Sequence, residues 1–275
     1  MNLQNIINEI EKTDPEVYDR LSDRRKAMKE FTGFAGKVAL VSLPFMFGSM
    51  FKKAYGQAAG SIVDILNFAL TLEYLEAEFY TKGVAAGGLI ASEDVAGFVS
   101  IRDHENAHVN FLKTAISGAG GTPVTKPTFD FTAGNGSMAG PYANVFSNYD
   151  TFLAVSQAFE DTGVRAYKGQ AGNLISNKTV LTAALQIHSV EARHASHVRM
   201  VRRKRGAAVK PWITGNDTGG IPSIAPVYAG EENTTQAGVN IAAIGFGVSG
   251  TDASEAFDEP LTKEQVLAIV DPFIV

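Results

Sequence analysis

Arg102-Asp103-His104-Glu105-Asn106-Ala107-His108 and His188-Ser189-Val190-Glu191-Ala192-Arg193-His194-Ala195-Ser196-His197 together hold all five histidines of the 275-residue chain. Each contains the spelling Glu-x-x-His, as Glu105/His108 and Glu191/His194. In an α-helix, residues three apart lie on neighbouring parts of one face, so each pair presents a carboxylate and an imidazole in the same direction. One such pair arises often by chance and, alone, reads as a surface pair. What decides the matter is what the rest of the chain sets beside them.

Working outward, the punctuation is helical. Ser61 with Asp64 reads as a capping box opening a helix with the apolar stripe Ile62, Ile65, Leu66, Ala69 and Leu72, ending near Lys82-Gly83. A second helix opens near Ser92 or Asp94, carries Val95, Phe98, Ile101, Val109 and Leu112, and stops by Gly118. Residues 120–149 are rich in Gly, Pro, Thr and Asn and have no helical period. Two more helical stretches follow, residues 150–171 and 179–205, closed by Gly172 and Gly206. Two helices, a long connection and two helices is the chain order of an all-α four-helix bundle with one crossover. That order alone carries no chemistry.

The remaining two helices supply matching acids. Glu73 is followed seven residues later by Tyr80, and Glu160 by Tyr167, a spacing that stays within about 20° of one helical stripe. Glu73 to Glu105 is 32 residues and Glu160 to Glu191 is 31, so the chain holds two copies of Glu…Tyr then Glu-x-x-His, offset by 87 and 86 residues. Leu66, Ala69 and Ala77 share the stripe of Glu73, while Leu181, Ala184 and Ala195 lie close to that of Glu191, which points these acids inward. Four carboxylates turned into an apolar bundle face desolvation and mutual repulsion. A pair of metal ions resolves that conflict, with four acids offsetting the cations and two imidazoles completing the coordination. The alternative makes all four solvated surface acids. Glu76 lies near Glu73 and can substitute for it, although the spacing to Tyr80 favours Glu73. Glu78 points to solvent, and His104, His188 and His197 read as hydrogen-bonded or surface residues outside the ligand set. A metal-bound imidazole needs an acceptor for its other nitrogen, for which Asp103 and Asp161 are the candidates. Tyr80 and Tyr167 are either core aromatics or hydrogen-bond donors and electron carriers beside the metals.

These segments resemble the ferritin-like superfamily of dimetal carboxylate bundles, in which Glu, Glu-x-x-His, Glu and Glu-x-x-His occur in this order. More narrowly, "DILNFALTLEYLEAEFY", "DHENAHVNFL" and "VEARH" are similar to bacterial ferritin-like proteins related to desiccation-associated proteins. The resemblance implies Glu73 and Glu160 as terminal carboxylates, Glu105 and Glu191 as bridging ones, and His108 and His194 as one imidazole per metal. It implies two metal ions but no particular reaction; the expected reading is iron ahead of manganese, oxidising Fe(II) with O2 or peroxide in stress protection. A dimanganese catalase, or a stress-associated protein whose metal site is structural, are the alternatives. The long crossover and the C-terminal extension argue against cage assembly and bulk iron storage, and leave a homo-oligomer open.

Composition fits this and closes other routes. With no cysteine there is neither a disulfide nor a thiolate ligand, so any metal must be held by His, Asp and Glu. A formal net charge of −5 gives no electrostatic reason to expect nucleic acid as a partner. Arg202-Arg203-Lys204-Arg205 reads as cations suited to a helix C-terminus rather than as a phosphate site. At the N-terminus, Arg24-Arg25 followed by an apolar stretch looks like a twin-arginine export signal, with a cleavage point after Gly56 and a periplasmic or exported product. Its uncharged run, residues 38–51, is shorter than the roughly 20 residues of a membrane span, so no stable span is expected once the signal is cleaved. The alternative for residues 1–56 is an amphipathic arm on a cytoplasmic protein. The expected organisation is thus 1–56 signal or arm, 61–206 ferritin-like bundle, and 207–275 a loop-rich extension that wraps the bundle or another subunit, helical only near "LTKEQVLAIV".

Overall fold

A computed structural model describes residues 59–275, so the export-signal-like segment lies outside the described residues. Four long helices, α1 (Ala59–Ala85), α2 (Val95–Gly118), α3 (Tyr149–Ala171) and α4 (Lys178–Lys204), form two antiparallel hairpins, α1 with α2 and α3 with α4. The crossover between them spans residues 119–148. Among the described residues no helix is long and apolar enough to cross a membrane.

The helix ends follow local chemistry. Asn148 and Asn177 cap α3 and α4 by accepting from the backbone N–H of Thr151 and Val180. Asp94 precedes α2 without capping it; its carboxylate accepts instead from the Tyr149 hydroxyl at 3.0 Å, tying α2 to the start of α3. α1 begins two residues before Ser61, not at a Ser61 cap, and it runs through Gly83 to Ala85. Gly83 is a packing residue and not a stop, because a Cβ there would strike the ring of Phe152 on α3. The same contact stacks Phe79 on Phe152, with ring centroids 4.9 Å apart.

The core lies in two apolar clusters on either side of the bundle's middle. One gathers Phe79, Phe98, Phe152 and Phe159 with residues of the extension, and the other gathers Leu66, Leu70, Leu112, Ile116 and Ile187. The layer between them is where the paired motifs fall.

α3 is buried on nearly all sides, even at Gln157, Asp161 and Arg165, which recur every four residues along one stripe. The reason is the C-terminal extension, which packs on that stripe. Gln157 donates to the Tyr228 hydroxyl at 2.7 Å, and that hydroxyl donates to Asp161 at 2.7 Å. Asp161 also receives Arg199 at 2.6 Å. Arg165 binds the carbonyls of Val227, Ala229 (2.7 Å) and Glu259 (2.8 Å), and pairs with Glu231 at 2.7 Å. Arginine suits this task because its five donors can satisfy several acceptors of an irregular, buried backbone at once. The basic run at the end of α4 is therefore divided. Arg202 is buried against Gln157 and the Gly219 carbonyl, and Arg205 pairs with Asp150 at 2.6 Å.

The extension is more structured than its composition suggests. It holds a 3-10 segment over Pro222–Tyr228, a short hairpin of β1 (Thr235–Gln236) and β2 (Val239–Asn240), and helices α5 (Gly250–Glu255) and α6 (Lys263–Val270). α6 is the expected helix and carries the capping box of Thr262 with Gln265. At the C-terminus, Val275 donates to the Thr128 carbonyl and Phe273 accepts from Asp130, which pins the crossover. The Asp130 carboxylate in turn accepts from Thr132, Gly136 and Met138 and shapes the crossover loop.

Removing the guanidinium in Arg165→Ala leaves the buried Glu231 without its cation and with only the Glu259 N–H donating to it, so urea denaturation is expected to show a loss of about 3–5 kcal/mol. Lys126→Ala, at an exposed ion pair with Glu78, is expected to cost less than about 1 kcal/mol. Equal costs for the two would contradict the role of Arg165 in holding the extension.

Candidate metal centre

Glu73 and Glu76 from α1, Glu105 and His108 from α2, Glu160 from α3, and Glu191 and His194 from α4 meet in the layer between the two apolar clusters, and all five glutamates are buried. The arrangement is built on the chain's internal repeat. His108 Nδ1 lies 3.1 Å from Glu73 Oε2, 3.2 Å from Glu105 Oε2 and 3.2 Å from Glu191 Oε1. His194 Nδ1 lies 2.8 Å from Glu105 Oε1, 3.3 Å from Glu160 Oε2 and 3.7 Å from Glu191 Oε2. Glu105 and Glu191 thus each turn one oxygen toward each imidazole, whereas Glu73 serves only the His108 side and Glu160 only the His194 side.

Two overlapping groups result: Glu73, Glu105, His108 and Glu191, and Glu105, Glu160, Glu191 and His194, each with its donor atoms within 4.8 Å of one another. A metal-free network of hydrogen bonds is the competing account; it suits the His108 side, where Nδ1 is in hydrogen-bonding geometry with Glu73 and Glu105, but not the His194 side. Glu105 Oε1, Glu160 Oε2, both oxygens of Glu191 and His194 Nδ1 are buried without a hydrogen bond. The short approach of His194 Nδ1 to Glu105 Oε1 brings the two atoms close but not in line for a shared proton. Buried polar atoms are almost always hydrogen-bonded, and five orphans converging on one spot suit a cation that takes lone pairs. Nitrogen and oxygen donors without sulfur suit a hard or borderline metal cation.

The neighbouring residues hold this set in place. Tyr80 on α1 donates to Glu160 Oε1 on α3 at 2.5 Å, and Tyr167 on α3 donates to Glu73 Oε1 on α1. Each tyrosine of the repeat therefore restrains the terminal acid of the other copy. Burial and the partner carboxylate raise both phenols well above their ordinary range, so they stay protonated and donate.

The acceptor for an imidazole's second nitrogen is neither Asp103 nor Asp161. Asp103 pairs with Arg102 at the surface and Asp161 with Arg199. His104 takes the place instead: its Nδ1 lies 2.9 Å from His194 Nε2, with the two rings stacked. If His194 keeps Nδ1 free for a metal, its proton sits on Nε2 and is donated to His104. No sequence spacing announces this pair, which is 90 residues apart.

Glu76 does not substitute for Glu73: it lies beside the set and belongs to neither donor group. Both are buried, and burial, with the charges of Glu191, Glu160, Glu105 and Glu73, holds the Glu76 carboxyl well above the usual carboxylate range. The repeat offset of 87 places Gly163 at the equivalent position of the second copy. A Cβ on Gly163 would sit 3.3 Å from Glu76 Oε1, so the glycine makes room for the extra acid and breaks the two-fold pattern. His188 and His197 fall outside both donor groups, as expected, but neither is hydrogen-bonded through Nε2, which is buried without a partner in each; His197 packs edge-on against Phe98 instead. Glu78 pairs with Lys82 and Lys126 at the surface.

A family model described as a ferritin-like domain matches residues 61–204, the span from the start of α1 to the end of α4. No curated protein matches the chain.

Without metal, the site holds protons where a metal would bind. Burial and Glu191 raise Glu105 well above the ordinary carboxylate range. Burial opposes charge on His194, yet Glu160, Glu105 and Glu191 outweigh it and push the imidazole up to about 12. Metal must displace these protons, so affinity rises with pH. Calorimetric titration with Mn(II) in buffers of differing ionisation enthalpy is expected to show proton release. One proton released per ion corresponds to roughly a hundredfold tighter binding over about two pH units. A pH-independent affinity would contradict the assignment.

Proposed function

The chain belongs to the ferritin-like family, and we propose that within it the protein is a dimetal oxidoreductase holding two iron ions, which oxidises Fe(II) with O2 or peroxide as a protective activity. The observation that carries this reading is the bridging geometry. Glu105 and Glu191 each divide their two oxygens between the His108 and His194 sides, an arrangement that suits two neighbouring cations better than one. The chemistry such a ferrous pair supplies is two electrons, enough to take O2 and two protons to hydrogen peroxide while two Fe(II) become two Fe(III).

The chain's own residues prepare that site. Glu73 and Glu160 hold one centre each, and the phenols of Tyr167 and Tyr80 fix their orientation. The stacked ring of His104 fixes the plane of His194. Glu76 lies buried beside the carboxylates and holds a proton in the metal-free site, which the charge of bound cations would favour releasing. The two apolar clusters keep solvent from the layer and strengthen every electrostatic contact inside it.

We assign the activity to the exported compartment on the strength of Arg24-Arg25 and the uncharged run of residues 38–51. The likeness of the α1, α2 and α4 motifs to desiccation-associated ferritin-like proteins supports a role in stress.

Metal analysis after aerobic purification, with assays of O2 and H2O2 consumption, tests the proposal. Iron with rapid Fe(II) oxidation is expected. Manganese with oxygen evolution from H2O2 would replace it by a dimanganese catalase, and metal without turnover by a structural site. Glu105→Ala removes a carboxylate common to both centres and is expected to lose both ions, whereas His194→Ala is expected to keep one. Unchanged metal content in both variants would overturn the ligand set.

A further inference from the structure

We propose that an apolar cavity at one end of the bundle binds O2 and supplies it to the metal layer from the Glu73 side, making O2 and not peroxide the oxidant. The inference rests on the dimetal reading and names its co-substrate. The cavity, about 30 Å³, lies among the second apolar cluster, where Leu66, Ala69, Leu112, Leu174 and Ile187 contribute to its wall. It is bounded toward the metal layer by Tyr167, whose hydroxyl donates to Glu73 Oε1. Half-buried Ile65, Phe111, Ala183 and Ala184 also line it and form its outer rim.

Size and polarity select the occupant. About 30 Å³ is roughly twice what a single water needs, which is enough for a diatomic molecule. A buried water needs two to four polar partners. Only Tyr167 and Gln170 among the lining residues are polar; the phenol donates to Glu73, and Gln170 Oε1 accepts from the Asn173 amide at 3.1 Å. Hydrogen peroxide, with two O–H donors, would forfeit its hydrogen bonds in such a space, whereas O2 has none to lose. On the opposite side of the layer, the rings of Phe98 and Phe152 pack around Tyr80 with centroids 6.2 and 6.1 Å away. The cavity therefore lies behind the Glu73–His108 centre, with Tyr167 between them.

Xenon, an apolar atom that enters dry cavities, is the probe. Crystals of the metal-free and the metal-loaded full chain under xenon pressure are expected to show xenon between Leu112 and Tyr167. Ala184→Leu fills the cavity from its rim. It is expected to exclude xenon and to raise the O2 concentration for half-maximal Fe(II) oxidation by about tenfold, with metal content and H2O2-driven turnover unchanged. Leu112→Ala, which widens the same space, is expected to retain xenon and to leave the O2 dependence no weaker than in the parent protein. The proposal is overturned if xenon is absent from the parent cavity, or if Ala184→Leu excludes xenon and leaves the O2 dependence as it was. Failure of the dimetal reading shows separately, as a parent protein that takes up xenon but binds no stoichiometric metal; the cavity then stands and its assignment to O2 falls.

Discussion

Five glutamates and two histidines share one layer of the bundle from which water is largely excluded, and the like charges of the acids are the constraint around which the rest of the structure is arranged. In a medium of low dielectric, carboxylates this close cannot all ionise without cations among them. Two devices inside the chain relieve part of the conflict. His108 and His194 are held in their protonated forms against burial by the surrounding acids, and Glu191, between both imidazoles, is drawn down to about 2. Glu160, by contrast, is pushed up to about 7 by burial, only partly offset by His194. These opposite shifts within a few ångströms describe a site whose protons stand in for more strongly charged ions.

Placing such a layer in mid-bundle requires rigid support, which comes from Tyr80, Tyr167 and His104 within the four helices and from the extension outside them. α3 carries both a metal-layer acid, Glu160, and a separate polar stripe of Gln157, Asp161 and Arg165 that holds the extension. That stripe lies on a different face from the Glu160 carboxylate, so one helix serves two polar networks while its apolar residues fill the space between. The extension thereby seals the outer surface of α3 and contributes Tyr228, Val266 and Phe273 to the larger apolar cluster. Its irregular backbone is tolerated because Arg165 and Arg202 satisfy carbonyls that would otherwise be buried without partners.

Much of this was legible in the sequence, for definite reasons. The four helices were readable because apolar residues recur at the helical period and glycines punctuate them, and the six residues of the two donor groups because the chain spells the pattern twice in register. The departures have equally definite causes. Gly83 reads as a stop until Phe152, 69 residues later, is seen against it. The crossed pairs of Tyr80 with Glu160 and Tyr167 with Glu73 depend on how α1 packs on α3, which no local spacing encodes. Glu76 looks like a rival of Glu73 unless its counterpart Gly163 is recognised as space kept for it. The hairpin and α5 of the extension escape notice because their short elements are set by turns and caps, not by an apolar period.

The central claim is that Glu105 and Glu191 bridge two cations, and anomalous scattering from a crystal soaked in Fe(II) tests it most directly. The account predicts two peaks roughly 3.5–4 Å apart, one beside Glu73 and His108 and the other beside Glu160 and His194, with both bridging carboxylates reaching each ion. A single peak, or metal bound elsewhere while the two imidazoles stay paired to the carboxylates, would contradict it.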